Sequence, residues 1–167
     1  MKLYRSGPVF VPSKRGVEAL SYAHADLFLP EGRQGRTTAI FAVSEPASVI
    51  RWVRGNKLSG LDDVKVREFD VNPDGIFVYD ILKWQRASNS DNSETLNPSS
   101  TEKYKNYWDS GVSLSEHVRK TNIEPSLEHW EILVPEKAIS NVRVIPFNEL
   151  KKYMDDIFKK EILGYYK

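Results

Sequence analysis

The stretch Glu128-His129-Trp130-Glu131-Ile132-Leu133-Val134-Pro135 drives an ionisable carboxylate into an apolar run that reads as a buried strand. Side chains alternate along a strand, so Leu127, His129, Glu131 and Leu133 share one face while Glu128, Trp130, Ile132 and Val134 share the other. Glu131 therefore sits among apolar neighbours. Desolvating a carboxylate is costly unless it is paired or faces a cleft, which makes Glu131 either half of a structural ion pair or part of a site. Arg5, on an opening strand, carries a planar and permanently charged fork that suits a carboxylate or a phosphate. An Arg5–Glu131 pair is thus the structural alternative to a site. Ser44 offers a hydroxyl just before a helical pattern, and a neutral His129 imidazole is suited to act as a base near pH 7 or to position an acceptor.

The composition sets the frame for these groups. The chain has 167 residues with 24 Lys and Arg against 23 Asp and Glu, a formal charge of +1 that gives no global field toward nucleic acid or a membrane. It has no cysteine, hence no disulfide framework, thiolate nucleophile or cysteine metal site. His24, His117 and His129 are too scattered to suggest a metal cluster. No signal-peptide core or membrane-length apolar run is present, and a cytoplasmic location, in its own or a host cell, is expected.

The elements that must position these residues are mixed. Lys2 to Ser6 reads as a strand stopped by Gly7-Pro8, followed by a short helical stretch near Val17 to Tyr22 and a loop from Glu31 to Arg36. That loop, Gly32-Arg33-Gln34-Gly35-Arg36, has glycines and arginines of the kind that hold a phosphate, a composition shared with ordinary solvent-facing turns. Thr37 to Val43 reads as a strand, with Ser44 as N-cap of a helix that has Pro46 in its first turn and Gly55 as its stop. Val64 to Val71 and Gly75 to Trp84 read as a hairpin joined by Asn72-Pro73-Asp74-Gly75. Ala87 to Lys103 is polar enough to read as a mobile surface loop. Ser113 and Glu116 form a possible capping box for a helix through Val118. Leu127 to Val134 and Asn141 to Phe147 read as strands, and Asn148 to Tyr165 as an amphipathic helix packed on the same domain.

Three short motifs in this order carry a resemblance: Leu3-Tyr4-Arg5, the strand ending Phe41-Ala42-Val43-Ser44 before a helix, and Glu128 to Pro135 followed by Ile139 and Val142-Arg143-Val144-Ile145. Together they resemble the Arg-Ser-Glu group of ADP-ribosyltransferases, to which the cholera and pertussis toxin catalytic chains belong, over residues 1–147. The resemblance implies an α+β domain of two packed, mainly antiparallel sheets with flanking helices and an NAD cleft between the sheets. It implies that Glu131 binds a ribose hydroxyl of NAD and stabilises the oxocarbenium-like cation formed as nicotinamide leaves. Arg5, with Tyr4 beside it, would bind the pyrophosphate or adjoining ribose, and Ser44 would support the carboxylate. The family's Ser-Thr-Ser element is here Ala42-Val43-Ser44, and the family's Glu or Gln two residues before the catalytic glutamate is here His129.

The implied activity is mono-ADP-ribosyl transfer from NAD to a macromolecular acceptor, with no metal and no membrane. NAD hydrolysis needs the same site, and an inactive relative would use it as a binding module. The balanced charge favours a protein acceptor, although Arg33, Arg36, Arg51 and Arg54 with Trp52 would form a phosphate track for a nucleic acid. Tyr104, Tyr107 and Trp108, after the polar loop, offer an aromatic surface for a target. Trp130 alternates with Ile132 and Val134 and reads as core. His24, beside Asp26, reads as a satisfied structural histidine.

Overall fold

The β-branched and aromatic residues that favour a pleated, half-buried surface fall into seven strands among the residues described by the computed structural model, 1–10, 19–55, 65–91, 95–120 and 130–155. In chain order they are β1 (Lys2–Arg5), β2 (Ala39–Ala42), β3 (Arg67–Val71), β4 (Phe77–Asp80), β5 (Val112–Ser113), β6 (Trp130–Pro135) and β7 (Ile139–Val144). Helices α1 (Ala19–Asp26), α2 (Pro46–Gly55), α3 (Ile81–Ser90), α4 (Pro98–Asp109) and α5 (Leu114–Lys120) lie between them. The chain is helical again from residue 147 through 155, the last one described. Val17, Leu127 and the tail beyond residue 155 lie outside the described residues, as do the side chains of Arg51, Trp52 and Arg54.

The strands make two sheets, β1-β3-β7 and β2-β6-β4-β5, and every pairing is antiparallel. Their facing sides are apolar and pack together. Leu3, Phe69 and Val71 from the first sheet meet Ile40, Ala42, Val78, Ile132 and Val134 from the second. Fully burying a side chain such as Phe69 stabilises the fold by about 1.5–3 kcal/mol. The space between the sheets is thus filled with core. The outer face of the second sheet is covered by α1, α3 and α4 through Tyr22, Ala25, Trp84, Ala87, Tyr104, Tyr107 and Trp108, packed on Ala39, Tyr79 and Leu133. A third cluster joins Val49 and Ile50 of α2 to Val66, Ile145 and Leu150, with Tyr4 and Val43 against it.

The fold is therefore α+β with two antiparallel sheets and flanking helices, but several elements differ from the sequence expectation. The Asn72 to Gly75 turn forms, with Gly75 at φ 74° and Asp74 N–H donating to Asn72 Oδ1 at 3.2 Å. It does not close a hairpin. β3 pairs with β1 and β7 whereas β4 pairs with β5 and β6, so the turn carries the chain from one sheet to the other. The expected strand from Gly75 to Trp84 stops at Asp80, whose carboxylate accepts from Leu82 and Lys83 N–H and starts α3. The polar segment from Ala87 to Lys103 is not one long loop. α3 continues through Ser90, and Asn97 caps α4 by accepting from Ser100 N–H at 2.8 Å, with Pro98 at the first position. Ser113 accepts from Glu116 N–H at 3.2 Å at the start of α5, as the spacing predicts.

Candidate functional site

β6 presents its residues as the alternation requires: Trp130, Ile132 and Val134 face the core between the sheets, and Leu133 faces the helices. Glu131 shares the helix-facing side with Leu133. It is 7 % exposed, and Tyr79 of β4 lies directly across from it. Its carboxylate is satisfied there by two donors, since Arg36 Nη1 makes an ion pair with Oε1 and the Tyr107 hydroxyl donates to the same oxygen at 2.8 Å. Arg36 also donates to the Tyr107 oxygen at 2.7 Å, which closes the three groups into a ring. The ion pair of Glu131 is thus made with Arg36 and not with Arg5.

Arg36 is 2 % exposed and lies in an aromatic box. Its guanidinium carbon is 3.4 Å from the centre of the Trp84 ring, 4.7 Å from Phe41, 4.8 Å from Tyr22 and 5.2 Å from Tyr107. A desolvated cation over an indole face gains about 2 kcal/mol from the ring quadrupole. Burial works against the Arg36 charge, but Glu131 and Tyr107 outweigh it and raise the guanidinium above its ordinary range. Burial also pushes the Tyr107 phenol well up, and Glu131 pushes it further, so Tyr107 stays a neutral donor.

The loop that delivers Arg36 is held by Asp26 at the end of α1. The Asp26 carboxylate accepts from Arg36 N–H at 2.8 Å, Thr37 N–H at 2.9 Å and the Thr37 hydroxyl at 2.6 Å. A side chain at Gly35 would collide with that carboxylate. His24 is held by a different acid than its sequence neighbour, with Nδ1 2.8 Å from Asp91 Oδ2, an oxygen that also accepts from the Tyr104 hydroxyl. Tyr104, Tyr107 and Trp108 are 1 % exposed or less, because they form the wall of this core rather than a surface for a target.

The other expected site residues gather at one end of the second sheet. A backbone bridge joins Tyr4 to Val43, with Tyr4 N–H donating to Val43 O at 2.8 Å and Val43 N–H to Tyr4 O at 3.0 Å. Arg5 and Ser44 flank this bridge. The β2–β6 pairing ends with Ala42 opposite Ile132, one residue short of Val43 and Glu131. Arg5 Nη1 donates to Phe41 O at 3.2 Å, and its guanidinium lies against Gly7. Ser44 is not the cap of α2. The helix begins at Pro46, Ser48 N–H bonds to Glu45 O at 3.3 Å, and the buried Ser44 hydroxyl has no hydrogen-bond partner among the described residues. Alternation puts Ser44 with Ala42 and Arg5 with Leu3 toward the sheet interface, so they reach the sheet end from the side opposite Glu131. Tyr4 packs with the third cluster, and burial, aided by Glu68, pushes its phenol up to about 12. His129 lies outside the described residues, and Trp130 is partly buried 5.2 Å from the His117 ring.

In the sequence Arg36 reads as an arginine of a phosphate-holding loop or phosphate track, and nothing there marks Trp84, Tyr22 and Phe41 as its surroundings. The apolar setting of Glu131 signalled that a cation was needed without saying which. No group of three or more potential metal ligands occurs among the described residues, and no helix there is long and apolar enough to cross a membrane. Compared with protein-family models, curated protein sequences and solved structures, the chain matches none.

Proposed function

We propose that the chain is a mono-ADP-ribosyltransferase of the Arg-Ser-Glu group, passing ADP-ribose from NAD to a macromolecular acceptor, by preference a protein. The observation that supports the reading is the Tyr4–Val43 bridge, which brings the backbones of Arg5 and Ser44 to the end of β2 nearest the start of β6, on the sheet face opposite the Glu131 side chain. Three motifs far apart in sequence thereby lie near one sheet end, on its two faces. The NAD cleft of this reading runs across that end, because the apolar core fills the space between the sheets.

In this mechanism the bond between ribose C1 and the nicotinamide nitrogen breaks, and its electron pair leaves with nicotinamide. The cation left on the ribose is stabilised by Glu131, which a buried arginine and a neutral tyrosine hold as a fixed acceptor on Oε1. Oε2 is then the oxygen offered to a ribose hydroxyl. Arg5 binds the adjoining ribose or phosphate, and the unpartnered Ser44 hydroxyl meets the nicotinamide end. The acceptor's nucleophile bonds to C1 and loses its proton, with His129 as the base. With water as acceptor the same steps give NAD hydrolysis.

One observation favours a second reading. The Arg36–Glu131–Tyr107 ring is closed and buried, as in an inactive relative whose ion pair only holds α4 and the loop against β6. Nicotinamide release from NAD by wild type and Glu131→Gln, with and without cell lysate as acceptor, separates the readings. Release that needs Glu131 and rises with lysate is expected. No release by a folded wild-type protein would overturn the transferase.

A further inference from the structure

The ion pair of Arg36 leaves the other arginine of the same loop unexplained. Gly32, at φ 74°, turns the chain so that Arg33 crosses β4. Its guanidinium carbon stands 4.1 Å from the centre of the Phe77 ring and 6.0 Å from that of Tyr79. A single long bond, from Nη1 to Trp108 O at 3.4 Å, ties the head of the side chain. Gly111 makes room for this placement, since a Cβ there would run into both Arg33 Nη1 and the Tyr79 ring. Arg33 is partly exposed and makes no ion pair among the described residues. The chain thus holds a guanidinium rigidly by stacking while most of its donors remain uncommitted.

A second group points to the same place. The Tyr79 hydroxyl is buried, in a residue 1 % exposed, and its O–H donates to no acceptor among the described residues. A buried hydroxyl that donates to nothing costs about 1–3 kcal/mol, so its retention calls for an acceptor. Burial raises the Tyr79 phenol, Arg33 opposes that shift both as a hydrogen-bond donor close to the phenol oxygen and by its charge, and Glu131 adds to it. Tyr79 and Glu131 are direct partners in the β4–β6 register, about 5 Å apart at the backbone.

We propose that Arg33 and the Tyr79 hydroxyl form a subsite for a phosphoryl group, one strand away from Glu131. A planar fork with parallel N–H donors matches two phosphate oxygens, and the phenol O–H is a further donor for the same group. Stacking on Phe77 fixes the fork beforehand, which lowers the entropy cost of binding. The subsite lies on the helix-facing side of the second sheet, the side that Glu131 also faces, whereas Arg5 lies by alternation on the opposite side. The identity of the phosphoryl group as one from NAD or from a phosphorylated acceptor rests on the proposed transferase. The subsite itself does not.

The test is calorimetric titration of the full chain with inorganic pyrophosphate, for wild type, Arg33→Gln and Tyr79→Phe, each with its melting temperature. Binding by wild type is expected, weakened about tenfold or more in Arg33→Gln and severalfold in Tyr79→Phe, with melting little changed. Equal affinity in all three proteins, or no binding by wild type at millimolar pyrophosphate, would overturn the subsite. Repeating the titration in saturating NAD assigns the source: competition means the phosphoryl group belongs to NAD, and undiminished binding means it belongs to the acceptor. Pyrophosphate binding that needs Arg33 in a protein that never releases nicotinamide would sink the transferase and keep the subsite. Normal nicotinamide release by Arg33→Gln, with unchanged KM and unchanged pyrophosphate binding, would do the reverse.

Discussion

Arg36 and Glu131 lie 95 residues apart in the chain and form a buried ion pair against the face of Trp84. Removing one partner of such a pair leaves an uncompensated charge in the core, whereas replacing both with apolar groups of similar size does not. Arg36→Met is expected to destabilise the protein by about 3–5 kcal/mol, and Arg36→Met with Glu131→Met to recover most of that loss. Urea denaturation of the two single variants and the double variant measures the coupling. Additive losses would mean that the pair is not the unit that holds this core.

The same pair changes how a Glu131 variant must be read. Glu131→Gln keeps an oxygen for Tyr107 but leaves the Arg36 charge alone, so it loses stability as well as any activity. Ser44→Ala is the cleaner probe, because its hydroxyl has no hydrogen-bond partner among the described residues. Its removal should change stability by less than about 0.5 kcal/mol while lowering nicotinamide release by about tenfold or more. Full activity in a fully stable Ser44→Ala would remove Ser44 from the site.

Acid should loosen the first sheet through Glu68. Arg143 Nε donates to its carboxylate at 2.8 Å, and Lys2 Nζ at 2.9 Å. The Arg143 bond, against the effect of burial and with help from Lys2, holds Glu68 at about 2 instead of its ordinary 4.5. The folded value is the lower one, so the contribution is fully present above pH 4.5 and is lost as pH falls toward 2. The melting temperature of wild type should drop across that window, and Glu68→Gln should flatten the drop. An identical acid profile for the two proteins would refute the assignment.

Asp80 is the residue at which a strand becomes a helix, and its carboxylate accepts from Leu82 N–H at 2.9 Å and Lys83 N–H at 3.3 Å. Asp80→Ala should cost about 1 kcal/mol, and Asp80→Asn much less. Because α3 carries Trp84 into the box around Arg36, the Ala variant should also change the near-ultraviolet circular dichroism of that tryptophan. An unchanged signal would uncouple the cap from the site.

What could be read in advance follows the range of the interaction concerned. The two faces of β6 follow from alternation alone, and the setting of Glu131 with them. The Ser113 cap of α5 is equally local. Asp80 and Asn97 were just as local as signals, yet the apolar run Ile81-Leu82 continued the strand pattern and the many serines and asparagines masked the start of α4. The Arg36 partnership was beyond reach, since a loop arginine and a strand glutamate meet only when β2 pairs with β6 and Asp26 anchors the loop. Asn72 to Gly75 specify a turn by their residue types, but nothing local distinguishes one that closes a hairpin from one that crosses between sheets.

The first sheet joins residues 2–5, 67–71 and 139–144, with β3 in the middle. None of its neighbours is close in sequence, so each pairing must close a long loop before it gains any contact, and high contact order of this kind slows folding. On the ribosome, β1 and β3 can zip together while β7 is still unmade, leaving the β7-facing edge of β3 open. The β7-facing edge of β3 therefore has no partner until residues 139–144 have been made, and an open strand edge of this kind is a template for pairing with other chains.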